Sequence, residues 1–210
     1  MNEPQDPQRR RFLQGLAGLA ALTFGAARLW AAPAAPATTS KTAGLEPTPD
    51  CDDGDEPTPS TTEGPFYTPD SPLRTSLLEP ETMGRRIVLT GRVFSRECRP
   101  LPRALLDFWQ ADAEGQYDNV GFKLRGHQFT DARGRFRLES VVPGLYPGRT
   151  RHFHVKVQAP GGGRLLTTQL FFPGEPRNAR DRLYRSELTM AVRAGAAVSA
   201  ATFHFVLDTE

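Results

Sequence analysis

The sequence predicts an all-β fold: an antiparallel β-sandwich with long loops and at most one short helix. Glycine and proline together account for 38 of the 210 residues, 19 of each. This share, about 18 % against an average of about 12 %, indicates a chain with many turns. From residue 85 onward, short runs of β-branched and apolar residues alternate with turn signals, a spacing typical of an antiparallel sandwich.

Six segments of the chain carry the residue pattern of a strand. The first is rich in β-branched and apolar residues and is followed by two prolines that break it. The segment 152–158 alternates with a period of two, as a strand with two different faces does. In chain order the predicted strands are 86–94, 104–110, a run through Phe136 and Leu138 after the turn signal 131–134, 152–158, 165–172 and 201–207, and the one short helix is expected at 178–184.

Residues 1–37 are expected to be an export signal rather than part of the fold. Three arginines, a phenylalanine and a leucine at 9–13 precede a mildly apolar stretch at 15–27, and small residues at 35–37 offer a cleavage site. This arrangement resembles a bacterial twin-arginine export signal and predicts a periplasmic or secreted protein that uses the twin-arginine export machinery. The apolar stretch is shorter than the about 20 residues of a spanning helix, so no stable membrane span is expected after processing.

Residues 38–62 are expected to be a flexible arm, and residues 63–210 to be the folded domain. Thr, Pro, Ser, Asp and Glu dominate the arm, which has too few apolar residues to bury a core. The arm contains Cys51, and the other of the two cysteines, Cys98, follows the first predicted strand. In an exported protein these thiols are expected to form a disulfide that pins the arm to the domain; two free thiols are the alternative.

The charge balance and the scarcity of metal-binding residues exclude several classes of protein. The chain has 26 Lys and Arg against 24 Asp and Glu, a formal net charge of +2. No strongly basic surface for binding nucleic acid is therefore expected. With two cysteines and four histidines, the chain is neither a zinc finger nor a disulfide-dense scaffold.

The candidate metal ligands lie in and near the predicted strand 152–158. His152 and His154 are two residues apart, so their side chains point to one face of the strand and can bind the same metal ion. Tyr146 lies six residues upstream of the first histidine in a turn rich in Pro and Gly, and Tyr117 closes another glycine turn. Taken singly, each residue has an ordinary structural explanation as part of a polar strand face or as a half-buried tyrosine.

Several blocks of sequence, in order, resemble the intradiol ring-cleavage dioxygenases, non-haem iron enzymes that open catechol and protocatechuate rings. The segment 106–117, Leu-Asp-Phe-Trp-Gln-Ala-Asp-Ala-Glu-Gly-Gln-Tyr, is similar to the signature of that family. The other matching blocks are TEGPFY at 62–67, RG at 125–126, PGLY at 143–146, RTRHFH at 149–154 and TQLFF at 168–172. The resemblance extends from about residue 51 to residue 173 and is greatest to the small, exported branch of the family.

The resemblance implies a non-haem iron(III) cofactor with Tyr117, Tyr146, His152 and His154 as its ligands. Tyrosinate is a hard, anionic oxygen donor that favours iron(III) over iron(II), and the set differs from the two His and one carboxylate of iron(II) oxygenases. A trivalent ion also promotes loss of the proton from a phenol whose free pKa is about 10.

The resemblance further implies that the protein cleaves a catechol-type ring between its hydroxyls with O₂ and forms a muconate-type diacid. Tyr146 would leave the metal and help take a proton as the catechol binds. Arg149 would stabilise negative charge on the ring, and Gln169 matches a glutamine that the family has beside its ligands. Phe66 and Tyr67 are expected to line the pocket.

Two other functions stay open. One is a non-catalytic, transthyretin-like sandwich that binds an aromatic ligand or a metal; the other is a different metal enzyme, such as a copper enzyme, built on the same histidine strand. The four matched ligands and Arg149 argue against the first, and the two tyrosines argue against the second. His127 and His204 are expected to be structural, Trp109 to lie in the core, and Arg151 to be a surface charge. Neither the particular catechol nor the oligomeric state, monomer or homo-oligomer, is predicted.

Overall fold

Two β-sheets pack face to face around one hydrophobic core, which confirms the predicted all-β sandwich. The structure is a computed structural model that describes residues 56–209. The predicted export signal, most of the predicted arm and Cys51 lie outside the described residues, so the disulfide between Cys51 and Cys98 stays a prediction. In chain order the strands are β1 (Arg86–Ser95), β2 (Leu105–Trp109), β3 (Arg125–Phe129), β4 (Arg135–Val141), β5 (His152–Gln158), β6 (Leu166–Phe171), β7 (Ala191–Arg193), β8 (Val198–Thr202) and β9 (Phe205–Leu207).

One of the sheets contains parallel as well as antiparallel neighbours. Its strands are in the order β4-β1-β8-β7, and β9 also pairs with β1. Both β8 and β9 run parallel to β1, so the sandwich is not antiparallel throughout. Parallel pairing requires a long crossover connection, and the chain between β1 and β8 provides one. The second sheet, in the order β3-β2-β5-β6, is entirely antiparallel.

The predicted strand 201–207 is divided into β8 and β9 because its backbone pairing with β1 is interrupted. At the interruption the backbone N–H of Arg92 donates to Nδ1 of His204, at 3.1 Å, instead of to a backbone carbonyl. The neighbouring residue in β1 is Gly91, where a Cβ atom would lie 1.7 Å from the carbonyl oxygen of Phe203. Glycine is required at this close approach, and His204 has a structural role.

Two strands were not predicted, and the helix is shorter than expected. The β3 sequence, Arg-Gly-His-Gln-Phe, has no apolar run and forms a strand by pairing along its length with β2; β7 has only three residues. The predicted helix is a 3₁₀ turn at Asn178–Arg180, which ends where Asp181 becomes extended, and a second 3₁₀ turn follows at Ser186–Leu188. Within residues 56–209, no helix is long and apolar enough to cross a membrane.

The four-stranded sheet has one face in the core and one face that carries the candidate site. Leu106, Phe108, Phe153, Val155, Val157 and Leu170 are among the side chains on its core face, and burial of each Leu, Val or Phe contributes about 1.5–3 kcal/mol. The residues between them point to the opposite face. There, directly paired residues form one row across all four strands: Arg125, Trp109, His154 and Gln169.

The last residues of the predicted arm are bonded to the domain. The backbone N–H of Thr61 donates to the carbonyl of Thr167 at 2.8 Å, and that of Thr58 donates to the carbonyl of Val206 at 2.9 Å. Residues 56–62 are therefore held in place rather than free, because the edge strand β6 and strand β9 offer them hydrogen-bonding groups. This part of the arm leads directly into the block that covers the candidate site.

Candidate metal centre

Three donor atoms converge on the outer face of the four-stranded sheet. His152 and His154 in β5 direct their Nε2 atoms to within 3.0 Å of each other. The hydroxyl of Tyr117 lies 3.1 Å from Nε2 of His154 and 3.4 Å from Nε2 of His152. Both histidines are buried. These three residues, the three-donor cluster, are three of the four ligands that the sequence predicts.

The protonation of the cluster leaves lone pairs that face one another. Nδ1–H of His152 donates to the carbonyl of Thr150 at 2.7 Å, so its Nε2 carries a lone pair. Burial, and to a smaller extent the positive charge of the nearby Arg149, lowers the pKa of His152 to about 4. Burial also lowers the pKa of His154 well below its usual value, and burial raises the pKa of the Tyr117 hydroxyl. With the hydrogen of His154 on Nδ1, two imidazole lone pairs and a phenol oxygen share a space that a cation would stabilise.

The spacing and chemistry of these donors fit a metal ion. Imidazole nitrogens bind metals at about 2.0–2.1 Å, so two of them at right angles lie about 3.0 Å apart, the observed separation. A hydrogen bond from Nδ1 to a carbonyl, as His152 makes, is the usual way in which a ligand histidine is oriented. No group of three or more His, Cys, Asp or Glu side chains within residues 56–209 could hold a metal ion. The oxygen donor that lies beside both histidines is the hydroxyl of Tyr117.

Two glycine turns, packed backbone against backbone, position the two tyrosines. A Cβ atom on Gly144 would lie 2.2 Å from the backbone nitrogen of Gly115. Gly115 has a φ of +85°, and a Cβ atom there would lie 2.5 Å from the carbonyl oxygen of Leu145. Larger residues are excluded at both positions, so the turn that ends at Tyr117 and the turn that ends at Tyr146 are in direct contact.

Tyr146 lies beside the three-donor cluster, and Phe66 packs against both tyrosines. The ring of Tyr146 is edge-on to that of Tyr117, with 6.0 Å between centroids. Phe66 stacks on Tyr117 at 4.4 Å and meets Tyr146 edge-on at 5.4 Å. Among the hydrogen bonds of residues 56–209, none joins the Tyr146 hydroxyl to the cluster. Tyr146, the fourth predicted ligand, thus packs beside the three-donor cluster but is not hydrogen-bonded to it.

Arg149 is held beside the cluster by two side chains. Its Nε donates to both carboxylate oxygens of Asp181, at 2.9 and 3.1 Å, and its Nη2 donates to Oε1 of Gln169 at 2.5 Å. Gln169 in turn donates to the carbonyl of Thr62 at 3.0 Å. Burial raises the pKa of Asp181, but the backbone N–H groups bonded to it and the arginine outweigh burial and leave that pKa below its usual value. The carboxylate is therefore ionised and fixes the guanidinium.

Tyr67 helps to hold the arm against the sheet. Its hydroxyl donates to Asp107 at 3.0 Å, and its ring packs against Trp109 at 4.8 Å. Nζ of Lys156 lies 3.5 Å from the centroid of the same ring and 2.5 Å from a carboxylate oxygen of Glu63. These contacts fix the part of the chain that presents the neighbouring phenylalanine to the two tyrosines.

Trp109, which was predicted to lie in the core, is buried on the face of the sheet that carries the candidate site, where it contacts the predicted ligand His154. Its ring stacks on the imidazole of His154, with centroids 4.8 Å apart and planes 12° apart. Nδ1 of His154 is buried and has no hydrogen-bond partner among the described residues. Stacking therefore orients this imidazole where a hydrogen bond does not. His127, whose Nδ1–H donates to the carbonyl of Ser71 at 2.7 Å, has the structural role predicted for it.

The contact of Asp181 with Arg149 and the contact of Trp109 with His154 were not predicted from the sequence. Asp181 lies 32 residues after Arg149, inside a segment predicted as helix, and no local pattern connects the two. Trp109 pairs directly with His154 in the register of β2 and β5. A prediction that these two strands are neighbours would have placed the indole beside the imidazole.

A protein-family model described as Dioxygenase matches residues 62–209 of the chain. Among solved structures, the dioxygenase domain of a dioxygenase carbohydrate-binding protein fusion from the cellulolytic bacterium Streptomyces sp. SirexAA-E is 57 % identical. Its TM-score is 0.71, and the match covers 74 % of this chain and 100 % of that chain.

Curated relatives are similar over part of their length. The protocatechuate 3,4-dioxygenase beta chain of Burkholderia cepacia is 34 % identical over 122 residues, which are 50 % of this chain and 52 % of that protein. Catechol 1,2-dioxygenase 2 of Acinetobacter lwoffii is 34 % identical over 116 residues, 44 % of this chain and 42 % of that protein. The chain thus spans about half the length of the curated relatives it matches.

Proposed function

The chain belongs to the intradiol ring-cleavage dioxygenase family, since the family model matches residues 62–209, and we propose that it cleaves a catechol-type ring between the two hydroxyls. Both atoms of O₂ enter the product, a muconate-type diacid. The observation that carries the proposal is the convergence of two neutral imidazoles and a phenol within 3.0–3.4 Å of one another. These groups suit a metal ion that a catechol can chelate.

The proposed cofactor is non-haem iron(III), and the proposed ligands are Tyr117, Tyr146, His152 and His154. When bound, ferric iron would draw electron density from a chelated catechol and make a ring carbon reactive towards O₂. Two features support the assignment: the hard oxygen donors favour a trivalent ion, and burial raises the pKa of Tyr117, so that a strong cation is needed to remove its proton.

Tyr146 is proposed as the ligand that gives way to the substrate. Its hydroxyl is hydrogen-bonded to none of the three-donor cluster, and its side chain is partly exposed, unlike the buried histidines. The phenolate oxygen of Tyr146 would accept one of the two hydroxyl protons of the catechol, which leaves the diol as its monoanion. The three-donor cluster would remain in place during this exchange.

Arg149 and Gln169 are proposed to act on the substrate side of the site. The guanidinium of Arg149 donates from Nε to Asp181 and from Nη2 to Gln169. Its remaining N–H groups can donate to a substrate. A fixed cation beside the ring stabilises negative charge that develops there during the reaction. Gln169 keeps the guanidinium in that orientation, and Phe66 forms an apolar wall against which an aromatic ring can pack.

Oxygen-isotope labelling tests the proposed reaction. The iron-loaded protein is supplied with catechol under ¹⁸O₂, and the product is analysed by mass spectrometry. We expect a muconate-type diacid that carries two ¹⁸O atoms, one in each carboxyl group, and no product from a His154→Ala variant. A protein that binds catechol tightly and leaves it unchanged would instead be the non-catalytic binding module.

We also propose that the protein is exported through the twin-arginine route and acts in the periplasm or outside the cell. The pattern at 9–13 and 15–27 supports this, and these segments lie outside the described residues. Replacement of Arg9 and Arg10 by lysine should leave the protein in the cytoplasm, and cell fractionation with an immunoblot measures this. Export that is unaffected by the two substitutions would contradict the proposal.

A further inference from the structure

We infer that Asp181 is a positioning residue that ties the orientation of Arg149 to that of His152. The inference rests on the proposed function, because it concerns residues that the proposal assigns to the substrate and to the metal. Asp181 is not part of any sequence motif identified above. Its side chain is 2 % exposed and lies at the end of the 3₁₀ turn Asn178–Arg180.

Each oxygen of the Asp181 carboxylate accepts two hydrogen bonds. Oδ2 accepts from Nε of Arg149 at 2.9 Å and from the backbone N–H of Thr150 at 2.8 Å. Oδ1 accepts from the same Nε at 3.1 Å and from the backbone N–H of Leu183 at 2.9 Å. One buried carboxylate thus joins a charged side chain to two separate points on the backbone.

Thr150 carries the effect of Asp181 to the metal ligand. Its N–H is bonded to Asp181, and its carbonyl accepts from Nδ1 of His152 at 2.7 Å. Its hydroxyl bonds to Oδ1 of Asn178 at 2.7 Å. All the polar groups of Thr150 are therefore occupied, so the carbonyl that orients the His152 ring is fixed by the segment that contains Asp181.

A carboxylate is the side chain that satisfies all of these donors. An asparagine has a single oxygen, and its NH₂ group would face either the Thr150 N–H or the Leu183 N–H, donor against donor. Asp181→Asn should therefore release one backbone anchor and weaken the bond to Arg149. Loss of a partner that orients a ligand histidine typically lowers activity or metal affinity about 10–100-fold.

The neighbouring ion pair provides a matched control. Arg151 and Glu175 form a salt bridge of 3.0 Å with side chains that are 28 % and 23 % exposed. Arg151 adjoins His152 in sequence, but this pair has no bond to Thr150 or to Arg149. Like Asp181→Asn, Glu175→Gln removes one negative charge from an ion pair with an arginine that precedes His152. It should leave the orientation of His152 unchanged.

The test uses the metal-free protein first, so that it does not depend on turnover. Long-range ¹H–¹⁵N NMR of the His152 ring reports the hydrogen on Nδ1, and amide hydrogen exchange reports the Thr150 N–H. In Asp181→Asn we expect at least about tenfold faster exchange at Thr150 and a shifted Nδ1 signal, with wild-type values in Glu175→Gln. In the iron-loaded protein we expect kcat for catechol to fall about 10–100-fold while KM changes less than about threefold.

Separate outcomes identify which idea is wrong. If the folded Asp181→Asn protein keeps the wild-type Thr150 exchange and His152 signal, or if Glu175→Gln alters them equally, the inference is overturned. If the NMR effects appear but no protein turns over catechol, the coupling stands and the proposed function fails. If Asp181→Asn does not fold, the test uses Arg149→Lys, which keeps the positive charge but loses the bond from Nε of Arg149 to Asp181. The inference requires faster hydrogen exchange of the Thr150 N–H in this variant. Unchanged exchange would overturn it.

Discussion

Replacement of Gly144 by alanine should lower the activity about 10²-fold while leaving the protein folded. The new Cβ would lie 2.2 Å from the backbone nitrogen of Gly115 and 2.4 Å from the carbonyl oxygen of Ala113. Ordinary van der Waals contact begins at 3.4 Å, so the two turns must move apart by about 1.2 Å. Both of the atoms that clash belong to the backbone, and no side chain can rotate away to absorb the change.

The expected magnitudes follow from that displacement. Overpacking of this kind costs about 1–3 kcal/mol of the free energy of unfolding. The displaced turns carry Tyr117 and Tyr146, and a misplacement of about 1 Å in a catalytic site can lower the rate about 10²-fold. The hydrogen bond from the Gly144 N–H to the carbonyl of Asp112, 2.6 Å long, must also lengthen.

Gly148→Ala is the matched control for this prediction. Gly148 lies in the same loop with a φ of +75°, but nothing is within 4 Å of its Cβ position. Alanine there costs about 1–2 kcal/mol through backbone strain alone. Urea denaturation and steady-state oxidation of catechol, followed by O₂ uptake, should show similar losses of stability in the two variants and a loss of activity in Gly144→Ala alone. Equal activities of Gly144→Ala and Gly148→Ala would refute the reasoning.

Three further predictions concern the ligands, the disulfide and pH. Tyr117→Phe removes a member of the three-donor cluster and should lower iron affinity more than Tyr146→Phe does, measured by chelator competition; the reverse order would contradict the assignment. Cys51→Ser and Cys98→Ser should each cost up to about 4 kcal/mol in urea denaturation, with no further loss in the double variant, if the disulfide forms. Burial raises the pKa of Asp181, but hydrogen bonds and Arg149 lower it overall, so this carboxylate stabilises the fold above its unfolded pKa of 3.8. The stability advantage of the wild type over Asp181→Asn should shrink as the pH falls through the still lower folded pKa, and urea denaturation at several pH values measures it.

The strands and the histidine pair were predictable because their signals are local. Period-two alternation identifies β5, and alternation alone places His152 and His154 on one face. β3 was missed because its five residues contain no apolar alternation and gain strand geometry only from pairing with β2. The split between β8 and β9 likewise depends on the contact between His204 and Arg92, which are distant in sequence.

The candidate site shows the same limit. The resemblance to a known family predicts the four proposed ligands and Arg149, and the structure brings Tyr117 to both histidines across 35 and 37 residues of sequence. Asp181 is not recoverable from local pattern, because its importance comes from a carboxylate that contacts Arg149 and the backbone of Thr150, both more than 30 residues away in sequence. Features that depend on tertiary contacts of single residues need the fold.

The most direct test of the central claim is the visible spectrum of the purified, iron-loaded protein before and after addition of excess catechol without O₂. We expect a red-brown tyrosinate-to-iron(III) charge-transfer band that shifts when catechol is added. Tyr146→Phe should retain a band from Tyr117 alone. A colourless protein that holds stoichiometric zinc or copper, or a ferric band that no catechol alters, would contradict the account of this site as a ferric centre that binds a catechol.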